Sequence, residues 1–360
     1  MKKGKVGLFD PYLDVLGGGE KHILSILKVL DSAGYETDVF WDEDLTDAIK
    51  NRFNLTFDSL TFKPNVFKKG NSFVTRTLRL FPYDYFFYVT DGSYFYSPAR
   101  KNFIFSMVPY APLYSRSYLN KLKTANATFI SNSEFTGKHL KDWGIESNTL
   151  YPFIDPVFLE EKNVAKEKII LSVGRFFGGL HVKNHKLMIS LFRKLSNQGI
   201  LQGYKLLLAG GLKDEDRAYF NSLRTLTEND PNILLKPNVD FKELLSLYSK
   251  AQFYWHFTGF GVDEKLQPEK TEHLGITPLE AMASLSIVFC YKAGGINELV
   301  KDNKNGYTFR TENELIKKLE KVIKDLKLQK KIQTAGRGFV VENFGKDVFE
   351  KKVREVLSIQ

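Results

Sequence analysis

The chain has 360 residues, of which 43% are hydrophobic and 26% are charged, a composition that predicts a globular protein of about two domains. Its one cysteine, Cys290, excludes an intramolecular disulfide and a cysteine-based zinc site. Lys and Arg outnumber Asp and Glu by 52 to 42, and the net charge of +10 leaves nucleic acid and anionic membranes or ligands open as partners.

The sequence contains neither a long apolar segment nor a targeting signal. No stretch approaches the roughly 18 apolar residues of a membrane-spanning helix. The amino terminus is basic but lacks the apolar region and cleavage site of a signal peptide. We therefore expect a cytoplasmic protein.

The first forty residues predict a β-α-β unit. Residues 6–9 are typical of a buried strand, and residues 10–19 form a loop that ends in three glycines. Glu20 begins a helical pattern that stops at Gly34, and residues 37–41 indicate the next strand.

The rest of the first half is less regular. Strands are expected at residues 102–108 and 127–131, and Ser133 is a natural cap for a helix that ends at Gly144. The charged stretch at residues 160–168 is the candidate linker between two domains.

A second α/β series follows. Asn184 is expected to cap a helix that Gly199 ends, and further helices are expected at residues 278–284 and 347–357. The strands of this series are predicted at residues 168–173, 204–211, 232–235, 253–257 and 287–291. Alternating strands and helices on both sides of the linker predict an α/β protein with two doubly wound, mainly parallel domains, and a ligand cleft between the carboxyl ends of their sheets.

The first candidate site is the run Gly17, Gly18, Gly19 and Glu20. Glycines before a helix let the backbone approach a ligand, and the N–H groups of the helix start suit a phosphate or a hydroxyl-rich sugar. The run is not G-x-G-x-x-G, so the dinucleotide fingerprint is absent. A tight turn that needs positive φ angles explains the glycines equally well.

The second candidate site is the pair Arg175 and Lys183. Arg175 follows a predicted central strand and Lys183 precedes a helix, so both can converge on one anion. A rigid guanidinium with a mobile ammonium suits a diphosphate. Ordinary solvated surface residues are the alternative.

The third candidate site carries two carboxylates eight residues apart, Glu272 and Glu280. Glu272 lies in a predicted loop and Glu280 inside the helix that follows it, which has Pro278 near its start. The amides of Leu274 and Gly275 can point at an anion or at sugar hydroxyls, and each carboxylate can accept from a hydroxyl pair.

Together these residues resemble the retaining glycosyltransferases of the GT-B fold, in the large family 4, whose signature is E-x7-E. The resemblance runs in the same order over nearly the whole chain, through residues 17–20, 131–136, 172–175, 183–184, 272–280, 293–298 and 305–307. It implies a GT-B protein in which two Rossmann-like domains face a central cleft. An acceptor-binding domain would span residues 1–160 and a donor-binding domain residues 161–340, with a helix at residues 341–360 crossing back to the first domain.

The resemblance also implies roles for individual residues. Arg175 and Lys183 would hold the diphosphate of a nucleotide sugar and stabilise the charge that grows on it, in place of a metal ion, and Glu272 would lie near the donor sugar as a third catalytic residue. Glu280 would accept hydrogen bonds from the ribose. The remaining donor-binding residues would be Gly18, Gly19, His273, Leu274 and Gly275.

One part of the family pattern is absent. Many relatives carry a histidine in the first domain, where this chain has residues 105–110, Phe-Ser-Met-Val-Pro-Tyr. No general base and no acceptor-binding residue is therefore assigned. His256 and His273 are the nearest histidines, and His256 is equally consistent with a packed structural role.

Two Asp-x-Asp spacings occur, at residues 42–44 and 214–216. In the other major glycosyltransferase fold this spacing binds a divalent metal. Both lie among polar loop residues here, so we interpret them as solvated turns.

Basic residues cluster in the first half. Between Thr61 and Lys141 there are twelve Lys and Arg and three acidic residues, a local excess of +9, with aromatic and leucine residues between them. This composition suits an anionic membrane surface, and an ordinary solvated surface fits it as well. Nucleic acid ranks last because no nucleic-acid motif is present.

These features lead to one functional hypothesis. A UDP- or GDP-sugar would donate a sugar, with retention and without a metal or other cofactor, to a glycan or lipid-linked glycan, and the protein would attach peripherally to the inner membrane face. The alternatives are a catalytically silent GT-B scaffold that binds a nucleotide or a protein partner, a sugar-phosphate phosphorylase, and a nucleic-acid-binding α/β protein.

Overall fold

The computed structural model describes residues 3–160, 164–179 and 182–359, and the chain forms two compact units. Unit 1 comprises Met1–Pro152 together with Asp347–Gln360, and unit 2 comprises Phe153–Lys346. Residues 161–163 of the predicted linker lie outside the described residues.

Unit 1 is built on a seven-stranded parallel sheet of order β3-β2-β1-β4-β5-β6-β7. Its strands are β1 Gly4–Phe9, β2 Tyr35–Phe40, β3 Leu60–Lys63, β4 Tyr85–Val89, β5 Lys101–Ser106, β6 Ala127–Ser131 and β7 Ser147–Thr149. The helices between them are α1 Gly18–Ser32, α2 Thr46–Phe53, α3 Phe73–Leu80, α4 Tyr118–Lys123 and α5 Glu134–Asp142.

The central strands of unit 1 are buried because helices cover a parallel sheet on both faces, whereas the edge strands β3 and β7 are partly exposed. All five residues of β4 are buried, and its run Tyr-Phe-Phe-Tyr-Val packs on Phe9 and Phe40. The predicted cap is confirmed at the start of α5, where Ser133 accepts a hydrogen bond from the backbone N–H of Thr136 at 3.1 Å.

Unit 2 is built on a six-stranded parallel sheet of order β10-β9-β8-β11-β12-β13. Its strands are β8 Glu167–Val173, β9 Lys205–Gly210, β10 Ile233–Pro237, β11 Ala251–His256, β12 Ile287–Tyr291 and β13 Tyr307–Phe309. Its helices are α6 Val157–Glu160, α7 His185–Asn197, α8 Arg217–Thr227, α9 Phe241–Lys250, α10 Ile276–Ala283, α11 Ile296–Leu299, α12 Glu312–Ile323 and α13 Leu326–Phe344.

Both sheets reverse their strand order beside their first strand. In unit 1, β1 lies between β2 and β4, and in unit 2, β8 lies between β9 and β11. Such a switch point opens a crevice at the carboxyl ends of the two flanking strands, where α/β sheets bind ligands. The predicted α/β fold of two doubly wound domains is confirmed.

The last helix, α14 Lys346–Leu357, packs within unit 1. Its apolar residues Phe349, Val353 and Leu357 are buried. The ring of Phe349 lies 6.0 Å from that of His22, and the ammonium of Lys101 donates to the backbone oxygen of Leu357 at 2.9 Å. The chain thus returns to unit 1 after completing unit 2.

None of the helices in the described ranges combines the length and the apolar character that crossing a membrane requires.

We predict that Phe349→Ala lowers the free energy of unfolding by about 3–5 kcal/mol, because it leaves a cavity beside α1. Val348→Ala is the matched control, since Val348 is 42% exposed in the same helix, and should change stability by no more than about 0.5 kcal/mol. Urea unfolding measures both values. Equal effects of the two substitutions would mean that α14 does not pack as described.

Candidate active site

The candidate site of unit 2 lies at the carboxyl edge of its sheet. Strands β8, β11 and β12 are neighbours and run parallel, so the segments that follow them meet at one edge. Arg175 follows β8, Thr258 follows β11 and Ala293 follows β12. These segments flank the switch point between β8 and β11.

An ion pair between Lys183 and Glu272 forms the centre of this edge. The Lys183 ammonium lies 3.0 Å from Glu272 Oε2 and donates to the Thr258 hydroxyl at 3.1 Å. His256 Nε2 lies 2.8 Å from the same Glu272 oxygen. One carboxylate oxygen therefore binds both a cation and an imidazole.

The protonation states follow from these contacts. Burial alone would raise the pKa of Glu272, but Lys183 and the hydrogen bond with His256 hold it well below its usual range. Burial lowers the pKa of His256, although its contact with Glu272 opposes the shift. At neutral pH the carboxylate is ionised and the imidazole is neutral, so His256 donates its Nε2–H to Glu272.

Glycines make room for the lysine. A Cβ on Gly174 would lie 2.6 Å from Lys183 Cγ, so only glycine lets the lysine side chain pack against the end of β8. Gly210, at the end of β9, has a φ of +157°, and a Cβ there would lie 2.0 Å from the backbone oxygen of Gly174. Close packing around the end of β8 thus explains why residue 174, directly before Arg175, is a glycine.

Asn184 occupies the predicted cap position of α7, but the side-chain hydrogen bond of a cap is not formed. Asn184 adopts a left-handed conformation with φ 57° and makes no cap hydrogen bond to α7. Its amide instead donates to the backbone oxygen of Phe257 at 2.7 Å. This contact ties the residue after Lys183 to the segment after β11.

The loop that carries Glu272 is held by the turn after β12. The N–H of Gly295 donates to the backbone oxygen of Glu272 at 2.8 Å. A Cβ on Gly294 would lie 2.1 Å from that oxygen, and one on Gly295 would lie 2.3 Å from the backbone oxygen of His273. The two glycines let these backbones touch.

The backbone amides of Leu274 and Gly275 lie directly before α10. Gly275 has a φ of +106°, which favours glycine, and α10 begins at Ile276, two residues before the predicted start. Within the described ranges, the N–H groups of Leu274 and Gly275 donate no hydrogen bond. His273, by contrast, directs its Nε2 to the backbone oxygen of Glu269 at 3.1 Å.

The second carboxylate of the motif lies inside α10, as predicted. Glu280 accepts a hydrogen bond from the hydroxyl of Tyr248 at 2.8 Å, and Tyr248 is fully buried on α9. This contact orients the Glu280 side chain from a neighbouring helix.

Arg175 has two contacts of its own. Its guanidinium lies 4.4 Å from the centre of the Phe177 ring and 3.8 Å from Asp216 Oδ2. Asp214 and Glu215 are exposed, as the interpretation of a solvated turn requires, but that interpretation is wrong for Asp216, which is buried and balances an arginine. Asp42, at the other spacing, accepts from the N–H of Asn65 and pairs with Lys68.

The glycine run lies in unit 1, and both the predicted helix start and the positive-φ explanation are wrong. The helix α1 begins at Gly18 rather than Glu20, and Gly17, Gly18 and Gly19 all lack positive φ angles. A Cβ on Gly19 would lie 2.2 Å from the Met107 sulfur, so close packing explains that glycine. Glu20 accepts from the N–H of Gly17 at 2.6 Å and closes the helix start.

Two contributors were missed by the sequence analysis. Thr258 contacts Lys183, and Tyr248 contacts Glu280. A threonine after a strand and a tyrosine in a helix are too common to indicate a site. The signal that could have found Thr258 is topological, since it follows the strand beside β8.

Comparison with known proteins relates the chain to glycosyltransferases. The family model described as glycosyl transferases group 1 matches residues 157–358, more than half of the chain. A mouse protein named GDP-Man:Man(3)GlcNAc(2)-PP-Dol alpha-1,2-mannosyltransferase is 31% identical over 180 residues, 46% of this chain and 34% of that protein. The alpha-1,3/1,6-mannosyltransferase alg2 of Schizosaccharomyces pombe is 32% identical over 165 residues, 41% of this chain and 31% of that protein. The matches thus span about a third of the length of these curated relatives.

Solved structures share the fold over the whole chain. A glycosyltransferase from Rickettsia africae has a TM-score of 0.75 at 17% identity, with 100% of both chains covered. Anabaena HepE in complex with UDP and glucose has a TM-score of 0.71 at 14% identity, covering 99% of this chain and 100% of HepE.

The lowered pKa of Glu272 predicts how stability depends on pH. Its ionised form stabilises the fold above the ordinary value of 4.5, and this stabilisation is lost as pH falls toward the folded-state pKa. Glu272→Gln should therefore unfold about 2 kcal/mol more easily than the parent at pH 7, less than the roughly 3–5 kcal/mol of fully buried pairs because Lys183 keeps some solvent contact.

Urea unfolding at pH 7 and pH 4 measures the two differences, and the difference at pH 4 should be the smaller. Glu228→Gln is the control, since Glu228 is exposed in unit 2 and should give no such trend. A Glu272→Gln difference that is the same at both pH values would contradict the ion pair.

Proposed function

The chain belongs to the glycosyl transferases group 1 family, and from this we propose that it transfers a sugar from a nucleoside diphosphate sugar to a hydroxyl acceptor. Its fold is the GT-B fold that the sequence resemblance implies. The observation that carries the proposal is the cation Lys183, held by Glu272 and Thr258 at the switch point of unit 2.

Unit 2 would bind the donor. The diphosphate would contact Arg175, which follows β8, and Lys183, which precedes α7. The amides of Leu274 and Gly275 would donate to the donor sugar. His273 would contribute its own amide, and Glu280 would accept from the ribose hydroxyls. The donor role of Gly18 and Gly19, at the start of α1, stays a prediction of the sequence resemblance.

The catalytic step would be stabilised by electrostatics. As the glycosidic bond breaks, negative charge grows on the leaving diphosphate, and Lys183 and Arg175 would stabilise it without a metal ion. Glu272 would orient the lysine through their ion pair and lie near the donor sugar. The resemblance to retaining family 4 enzymes, which Glu272 and Glu280 carry, supports transfer with retention of configuration.

The relatives suggest the substrate class. Two are named as mannosyltransferases, and the name of the mouse protein includes GDP-Man and a PP-Dol-linked oligosaccharide. Anabaena HepE was crystallised with UDP. We therefore expect a GDP- or UDP-sugar as donor, and a glycan or lipid-linked glycan, bound by unit 1, as acceptor.

A lipid-linked acceptor would bring the protein to a membrane, and α3 fits that role. On this helix Phe73, Val74 and Leu78 are 57%, 62% and 69% exposed, and Phe81, directly after it, is 73% exposed. At 100° per residue these four side chains lie within one arc of about 140°.

Cations accompany this apolar arc. Lys68 and Lys69 precede α3, and Arg79 lies on it. A second short helix, α4, exposes Tyr118 and Leu119 beside further lysines. Exposed apolar side chains among cations favour an interface with anionic lipid, so we propose peripheral attachment through this part of unit 1.

We predict that replacing both Leu78 and Phe81 with Asp lowers binding to vesicles of phosphatidylcholine with phosphatidylglycerol by at least ~10-fold, because two inserted apolar groups are lost. Flotation measures the bound fraction. Leu266→Asp is the control, since Leu266 is 78% exposed in unit 2 and should not affect flotation. Parent protein that binds neutral vesicles equally well, or does not float at all, would contradict the proposal.

We predict that Lys183→Ala weakens the binding of GDP or UDP by about 10–100-fold, because a charge-assisted contact to the diphosphate is lost. Turnover should fall by about 100-fold or more. Calorimetry and a transfer assay measure the two effects.

Lys186→Ala is the matched control, since Lys186 is an exposed lysine three residues after Lys183. This variant should bind the nucleotide as tightly as the parent protein does. Parent protein that binds none of UDP, GDP and ADP would overturn the glycosyltransferase proposal. Unchanged turnover of Lys183→Ala would remove Lys183 from the mechanism.

A further inference from the structure

We propose that Asp10 is an acceptor-binding residue, which accepts a hydrogen bond from a sugar hydroxyl of the acceptor. This inference rests on the proposed glycosyltransferase function and assigns the acceptor side, for which the sequence indicates no residue.

The position of Asp10 is the topological counterpart of the donor site. Asp10 directly follows β1, and β1 lies beside β4 at the switch point of the unit 1 sheet. In unit 2, Arg175 lies in the segment after β8, at the equivalent switch point. Since open α/β sheets bind ligands in this crevice, Asp10 lies where unit 1 is expected to hold its ligand.

The side chain of Asp10 is fully buried, and only one of its two carboxylate oxygens accepts a hydrogen bond. Its Oδ1 accepts from the N–H of Tyr12 at 2.9 Å. Its Oδ2 is also buried, and among the described residues no donor reaches it. A buried carboxylate oxygen without a donor is costly, so the folded protein gains nothing from it unless a ligand supplies the donor.

Other buried acids in unit 1 have partners, which sets Asp10 apart. Asp31 accepts from Ser59 through both the backbone N–H and the hydroxyl, and it pairs with Lys28. Asp38 accepts from the hydroxyl of Tyr83 at 2.8 Å. These acids stabilise the fold, whereas Asp10 lacks the contacts that such a role requires.

The charges around Asp10 favour a neutral hydroxyl over a phosphate. Burial, followed by the repulsion of Glu20, raises the pKa of Asp10 to about 7, and Asp14 adds to the repulsion. Burial and the charges of Asp91 and Asp10 likewise raise the pKa of Tyr12. A phosphate would be repelled by these acids, whereas a sugar hydroxyl can donate to a carboxylate at no such cost.

Access to the buried oxygen would require the segment after Asp10 to move. This segment contains a short 3-10 turn, Leu13–Val15, and Leu16 follows in a left-handed conformation with φ 46°. A non-glycine residue in that conformation is uncommon and occurs at ligand-binding segments. Tyr12 and Val15 are exposed and Leu13 is buried, so movement of the segment would have to withdraw one apolar side chain from the core.

The kinetic test uses the full chain, GDP-mannose or UDP-glucose as donor, and octyl glycosides of mannose, glucose and N-acetylglucosamine as acceptor probes. Asp10→Asn and Asp10→Ala should raise the acceptor KM by at least about 10-fold, because the hydroxyl loses a carboxylate acceptor. Hydrolysis of the donor, which needs no sugar acceptor, should stay within about twofold. Asp38→Asn is the matched control, a buried acid with partners, and should leave the acceptor KM unchanged.

A stability measurement separates this role from a structural one. If Asp10 binds ligand rather than supporting the fold, Asp10→Asn should keep or raise the thermal midpoint at pH 7.5, whereas a structural role predicts a fall.

Each outcome is decisive. Parent protein that binds no nucleotide overturns the proposed function itself. Parent protein that hydrolyses the donor but glycosylates none of the probes overturns only the assignment of Asp10. An unchanged acceptor KM in both Asp10 variants, or a lowered thermal midpoint in Asp10→Asn, does the same.

Discussion

The ion pair between Lys183 and Glu272 is the interaction on which the candidate site depends. Removing a lysine and a glutamate from water is costly, and the cost is offset only when each has close partners. His256, at the end of β11, and Thr258, which follows it, complete those partners. The pair also explains why Gly174 is a glycine, since a larger residue would displace the lysine.

The two units use the same topology for different chemistry. Each sheet reverses its strand order beside its first strand and so offers a crevice at its carboxyl edge. In unit 2 that edge carries the cations Lys183 and Arg175, which suit a diphosphate. In unit 1 it carries Asp10 and Asp91, which suit hydroxyl groups. A transferase that joins an anionic donor to a polyol acceptor needs both kinds of surface.

The sequence predicted the fold and the motif better than the contacts between side chains. Periodicity and glycine positions indicate two α/β domains, and Ser133 caps α5 because a cap is a local contact. Asn184 holds the predicted cap position, but its side chain makes no cap hydrogen bond and its amide donates to the distant backbone oxygen of Phe257. Asp216 and Asp10 were likewise inaccessible to pattern analysis, since burial and missing partners are properties of the packed chain rather than of residue spacing.

The most direct test of the account is a crystal structure of the full chain with GDP or UDP. The account predicts that the diphosphate oxygens lie within hydrogen-bonding distance of Lys183 Nζ, with Arg175 on the same group and the base or ribose toward Glu280. A nucleotide bound away from Lys183, with the Lys183–Glu272 pair unchanged, would contradict it.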